Sequence, residues 1–207
     1  MSKPPQDSVN VLFFAANPGG TTPLDLQEEA REIEAKIRAS KHRDVLELIT
    51  KWAVRPDDLL QFLNQCEPTV VHFSGHGSKT GEIILLDNNR QPKPVSREAL
   101  AALFRVLKGQ IRLVVLNACF SRPQAEAIVQ EIDCAVGMGR TISDQAAIIF
   151  AASFYRALGF GSSVQNAFEQ GKAALMLEDI PEEETPQLLA KEGVNPNEVI
   201  LINPNPQ

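Results

Sequence analysis

Two runs of this chain, Thr69-Val70-Val71-His72-Phe73 and Leu113-Val114-Val115-Leu116, are β-branched or apolar at every position but His72. They lack the alternation of a strand with one wet face, so both faces have to be covered, which is the situation of strands in a parallel sheet flanked by helices. The rest of the chain supplies the alternation of strand and helix that such a sheet needs. Val9 to Ala16 reads as a first strand, ended by Asn17-Pro18-Gly19-Gly20. Pro23 to Ser40 is an amphipathic helix with Leu26, Ala30, Ile33 and Ile37 at helical spacing and Glu32, Lys36, Glu34 and Arg38 as i,i+4 pairs. Val45 to Val54 is a weaker strand, and Arg55-Pro56 opens a short helix through Leu63, its proline in the first turn.

Beyond the Thr69 run, Glu82 to Asp87 reads as a hairpin or edge strand ended by Asn88-Asn89. Ser96 caps a helix with the inner stripe Leu100, Leu103, Phe104 and Leu107, and Ile111 to Cys119 follows as a strand. Ser121 opens a further helix, with Gln124 closing a capping box, and a strand starts at Cys134. Two helices complete the body, Asp144 to Leu158 and one capped by Ser162 with Gln165 that runs to about Glu178. A final apolar run, Val199 to Ile202, lies in a proline-rich tail. The expectation is an α/β chain with a mainly parallel central sheet and helices on both faces, a single domain over 1–207 with its body at about 9–190.

The two runs also carry the chemistry. The first ends in Ser74-Gly75-His76-Gly77 and the second in Asn117-Ala118-Cys119. As neighbouring parallel strands they would bring His76 and Cys119 to one sheet edge, although 119 − 76 = 43 residues separate them along the chain. A thiol is mostly protonated at neutral pH, and an adjacent imidazole that accepts its proton yields the nucleophilic thiolate. Backbone N–H groups of Gly77 and Cys119 are candidates to hold the oxyanion of an acyl transfer. The positive end of the helix opened by Ser121 would add to the field on the sulfur.

Other chemistries fit less well. A Walker-type loop needs glycine before its lysine, where Ser78 precedes Lys79, and the segment after it reads as a strand rather than a helix. A phosphatase loop needs arginine six residues after the cysteine, where Ala125 stands. His72 and His76 are four apart on a strand with no third ligand evident, so no metal is expected and His72 reads as a hydrogen-bonded core histidine. Ser74 lacks the flanking glycines of a nucleophile elbow and is taken as a turn residue. With 20 Lys and Arg against 26 Asp and Glu the net charge is −6, which disfavours nucleic acid and anionic membranes as partners. Residues Met1 to Asp7 lead into an apolar run too short for a signal-peptide core, so a cytoplasmic location and reduced cysteines are expected. Cys66 and Cys134 read as packing thiols.

His76-Gly77 after one apolar strand and Asn117-Ala118-Cys119 after the next resemble the caspase-like cysteine peptidases, specifically the bacterial CHAT domains. Phe13-Phe14-Ala15-Ala16-Asn17-Pro18, the segment Trp52 to Leu59, Asp144-Gln145-Ala146-Ala147 and Phe154 to Leu158 are similar to CHAT sequences as well. The resemblance implies a three-layer caspase-like fold and a cysteine endopeptidase acting on a specific protein partner, in a bacterial stress or antiphage pathway. It implies His76 as general base and acid, Cys119 as nucleophile and no cofactor. Asn117, two before the cysteine where relatives carry glutamine or an acid, and Asp144 are the candidate substrate-binding residues, though Asp144 is equally explained as a helix cap. The alternatives are a catalytically inactive scaffold of the same fold and, less well matched, a TIR-like nucleotide hydrolase. The acidic stretch Glu178 to Glu184 is expected to be a mobile loop that gates access or receives a partner.

Overall fold

The computed structural model describes residues 8–202. The N-terminal segment Met1 to Asp7 and the end of the proline-rich tail lie outside the described residues. In chain order the elements are β1 (Val9–Ala16), α1 (Leu26–Arg38), β2 (Leu46–Trp52), α2 (Pro56–Cys66), β3 (Val70–Gly77), β4 (Ile83–Leu86), β5 (Pro92–Val95), α3 (Arg97–Leu107), β6 (Leu113–Asn117), α4 (Arg122–Ile128), β7 (Cys134–Met138), α5 (Asp144–Gly159), α6 (Val164–Leu177) and β8 (Pro186–Ala190). The sheet runs β2-β1-β3-β6-β7-β8, parallel through β7 and antiparallel at β8, with the β4–β5 hairpin attached to the end of β3. This is the mixed α/β architecture expected, with a mostly parallel sheet between two helical layers.

The side-chain period of two assigns each strand residue to a layer. Val11, Phe13 and Ala15 of β1 pack with α1, α5 and α6 on one face, while Leu12, Phe14 and Ala16 pack with α2, α3 and α4 on the other. On the first face lie Leu113 and Val115 of β6, and the same parity carries Asn117 and then Cys119 onto it. In β3 that parity selects His72, Ser74 and His76.

Several elements differ from expectation. The Val199–Ile202 run makes no strand beyond a single bridge between Ser163 and Ile200, and it serves the core instead, with Val199 and Ile202 buried. The last strand is Pro186–Ala190, paired antiparallel with β7. Its leucines and leading proline obscure a strand reading, yet an edge strand tolerates a proline because one of its sides needs no donor. The same reasoning applies to β5, which carries Pro92 and Pro94. The cap of α6 is Ser163, whose hydroxyl accepts from the Asn166 N–H, rather than Ser162. Glu178 to Glu184 is held at two points: Glu182 accepts from the Ser143 N–H at 2.9 Å and hydroxyl at 2.6 Å, and Glu184 pairs with Lys172 at 2.8 Å.

Candidate active site

The order of strands reverses beside β1, which sends the chain to β2 on one side and has β3 on the other. Crevices at the carboxyl ends of strands near such a reversal are where open α/β sheets place ligands. Here the crevice is a cleft whose walls come from the start of α1 (Asp25, Leu26, Glu29), the end of β3 (Ser74, Gly75, His76), the end of β6 (Asn117, Ala118, Cys119) and the start of α5 (Asp144, Ala147, Ile148). His76 and Cys119 therefore face one cavity, because parallel pairing of Ser74 with Asn117 puts each of them two residues further along neighbouring strands.

Two backbone features set the position of Cys119. A Cβ on Gly77 would lie 1.8 Å from the Cys119 carbonyl oxygen and 3.2 Å from its nitrogen, so the β3 backbone lies directly against that of the cysteine. Phe120 then takes a left-handed conformation with φ 56°, unusual for a residue with a ring, and reverses the chain. Ser121 ties this turn down from both sides: its hydroxyl donates to the Leu116 carbonyl at 2.8 Å and accepts the Met138 N–H at 2.9 Å. That overturns the capping box. Ser121 precedes α4 but makes no side-chain cap, being committed to β6 and β7, and the buried Gln124 side chain has no hydrogen-bond partner among the described residues.

The two candidate reactive groups are not joined in this arrangement. The Cys119 thiol is directed to the Ile142 carbonyl at 3.9 Å, and Nε2 of His76 is buried without a partner. Resting sites of this type often tighten only around substrate. Burial pushes the His76 imidazole below its ordinary value of 6.5, opposed by the Thr22 backbone and the Asp144 charge, so the base form predominates at neutral pH. The acid limb of His76-dependent Cys119 modification is therefore expected below pH 6.5, and Asp144→Asn, which removes one opposing influence, should move it lower. A pH profile of acyloxymethyl ketone labelling checks both; a limb above 6.5, or one displaced upward in Asp144→Asn, contradicts the argument. By contrast, burial raises the Cys66 thiol and drives that of Cys134 up to about 12, as suits packing thiols.

Beneath the cleft lies a buried polar network. The Glu29 carboxylate receives the Ser74 hydroxyl and the Asn117 amide, the latter at 2.7 Å, and stands 2.9 Å from Nε2 of His72, off the axis of a well-aligned hydrogen bond. Nδ1 of His72 is 3.0 Å from the Tyr155 hydroxyl, and its ring stacks on Phe13 at 4.8 Å. A proton on Nε2 facing the carboxylate leaves Nδ1 to accept from Tyr155. Burial and the nearby Glu29 charge raise the Tyr155 hydroxyl well above its ordinary range, keeping it a donor.

His72 is thus a hydrogen-bonded core histidine, as read from the sequence. Ser74 is not a turn residue: it lies within β3, almost wholly buried, and donates to Glu29. Asn117 and Asp144 both line the cleft with His76 and Cys119. Asp144 is not the α5 cap, a role taken by Ser143, and its carboxylate accepts the Asp25 N–H at 3.3 Å. Glu29 escaped the sequence reading. Its signal was position, since it falls between Leu26 and Ile33 on the buried stripe of α1, where an acid is out of place unless partnered. Among the described residues no group of three or more His, Cys, Asp or Glu side chains is arranged to hold a metal, and no helix is long and apolar enough to cross a membrane.

A family model described as "CHAT domain" matches residues 2–190. A "Roc-COR-CHAT protease" from an unknown prokaryotic organism is 29% identical over 178 residues, covering 83% of this chain and 17% of the relative. A "Probable protease" from Gillisia limnaea is 25% identical over 150 residues, covering 72% of this chain and 26% of the relative. The chain thus spans about a quarter or less of the length of these relatives. Among solved structures, a secreted C11 cysteine protease from Bacteroides thetaiotaomicron superimposes with TM-score 0.63 at 10% identity, covering 88% of this chain and 66% of that one. The Arg-specific cysteine proteinase gingipain R gives TM-score 0.62 at 12% identity, covering 92% and 47%. Both likenesses concern the fold.

Proposed function

Because this chain belongs to the CHAT domain family, we propose that it is a caspase-like cysteine endopeptidase in which Cys119 is the nucleophile and His76 the general base and acid. The observation that carries the reading is the meeting of His76 and Cys119 at one cleft, with the side-chain-free backbone of Gly77 lying against that of the cysteine. The names of the relatives, both proteases, support it.

In the proposed sequence the neutral His76 imidazole takes the thiol proton, and the thiolate attacks a peptide carbonyl. The resulting oxyanion is held by the N–H groups of Cys119 and Gly77; among the described residues the Cys119 N–H donates to no backbone carbonyl, leaving it available. The imidazolium then protonates the departing amine. Water, deprotonated by the same imidazole, hydrolyses the thioester and restores the thiol. No side chain is needed to orient His76 in this scheme, since the Thr22 backbone lies against the ring and favours its protonated form. Family membership alone supports the narrower reading that the substrate is a specific protein in a bacterial stress or antiphage response.

An acyloxymethyl ketone probe tests the dyad. Cys119 should be modified far faster than Cys66 or Cys134, and the advantage should vanish in His76→Ala; equal reactivity of the three thiols, or indifference to the His76 change, refutes the assignment. In the native host, protein N-termini that form with wild type and not with Cys119→Ala identify the substrate.

A further inference from the structure

Resting on the endopeptidase reading, we infer that Glu182 is a positioning residue that holds Cys119 in its resting direction. Its carboxylate grips Ser143 and so fixes the neighbouring Ile142 carbonyl, which receives the thiol; letting go frees the thiol for His76. The link runs through residues 139–143, which join β7 to α5. On one side this segment meets the cysteine turn twice: the Ile142 carbonyl accepts from the Cys119 thiol at 3.9 Å, and the Arg140 carbonyl accepts from the Phe120 N–H at 3.3 Å. On the other side it is fastened to the acidic stretch and the start of β8. The Gly139 N–H donates to the Thr185 carbonyl at 2.9 Å, and Nε of Arg140 donates to the Thr185 hydroxyl at 2.9 Å. Glu182 accepts the Ser143 N–H at 2.9 Å and the Ser143 hydroxyl at 2.6 Å.

The two fastenings differ in kind. Thr185 is fully buried, and a Cβ on Gly139 would come within 2.8 Å of the Gln187 amide, so that end of the segment is packed against β8. At the other end Ser143 is exposed and Glu182 half-buried, and one carboxylate receives both Ser143 donors. Bonds to an ionised acceptor are stronger than neutral ones, so a single side chain can decide between two positions of a short segment. The choice bears on the chemistry because a carbonyl accepts only from the protonated sulfur. While the thiol is directed to Ile142 its proton is not offered to His76, whose Nε2 is buried without a partner. Glu184, in the same acidic stretch, pairs with Lys172 on α6 at 2.8 Å and takes no part in the grip.

The test uses the purified full chain and iodoacetamide, a probe small enough to need no substrate subsite, with the rate at each cysteine read by mass spectrometry. Glu182→Ala, checked for an intact melting transition, should raise the rate at Cys119 at least about fivefold, the scale of losing a charge-assisted hydrogen bond at a half-buried site. Cys66 and Cys134 should not change, and the gain should vanish when His76→Ala is added. Glu184→Ala, which removes the same charge from the same stretch without touching Ser143, should react as wild type. Should Glu182→Ala fail to fold, Glu182→Gln decides: it keeps the shape and one acceptor oxygen without the charge, and should give a gain of at least about twofold at Cys119. An unchanged or slower Cys119 in the folded variant, a gain shared by all three cysteines or by Glu184→Ala, or a gain that survives His76→Ala overturns this inference. The cysteine peptidase still stands in each of these cases if acyloxymethyl ketone labelling of the wild type depends on His76. Ketone labelling indifferent to His76 in both wild type and Glu182→Ala overturns both.

Discussion

Replacing Gly77 by alanine is expected to slow modification and peptide cleavage at Cys119 by at least about a hundredfold. The new Cβ would fall 1.8 Å from the Cys119 carbonyl oxygen and 2.9 Å from its carbonyl carbon. The obstacle is backbone, with no rotamer to swing aside, so the end of β3 or the turn after β6 has to move. Either movement displaces His76 from Cys119 and shifts both N–H groups assigned to the oxyanion. Gly19→Ala is the control: its Cβ comes no closer than 3.6 Å to the Arg90 carbonyl, an ordinary contact, and labelling should be unchanged. Labelling rates of the two variants, with far-ultraviolet circular dichroism to confirm that each is folded, decide the matter. A folded Gly77→Ala protein that reacts within threefold of wild type, roughly 0.7 kcal/mol, would remove the close approach from the mechanism.

Truncating Glu29 to alanine should destabilise the protein by about 1–3 kcal/mol, the range for leaving a buried donor without its acceptor. The carboxylate accepts from Ser74 on β3 and Asn117 on β6, and its removal leaves the buried Ser74 hydroxyl without an acceptor and Nδ2 of Asn117 with only the Ala147 carbonyl at 3.3 Å. Glu29→Gln keeps one acceptor oxygen and should cost markedly less. Urea unfolding at matched m-values separates the two variants; a loss under about 1 kcal/mol for alanine would mean that water satisfies the orphaned groups. The same carboxylate thus joins α1 to the two strands that lead to His76 and Cys119.

The residues that sequence reading brought together are those whose chemistry is conditional on a strand ending beside another. His76 and Cys119 were accessible because Val70–Phe73 and Leu113–Leu116 can only be buried strands, and buried parallel neighbours present their last residues side by side. Asn117 and Asp144 followed from their places near the cysteine and at the start of α5. Ser121 was read for its nearest helix, yet its hydroxyl is engaged by Leu116 and Met138, the second 17 residues away. Glu29 is 88 residues from Asn117 and 45 from Ser74, and nothing local in Leu26 to Ile37 marks which strand residues it will meet.

The amino-acid sequence by itself determined the layering of this protein, the strands that must be covered twice, and the placing of a thiol and an imidazole at their ends, because burial and side-chain periodicity are properties of short segments. Only the tertiary structure decided what lies under that pair: the resting direction of the Cys119 thiol, the left-handed turn at Phe120 and the Glu29 network. Those depend on which helix faces are pressed against which strand ends, and the free energy of a buried hydrogen bond is set by partners brought from distant parts of the chain.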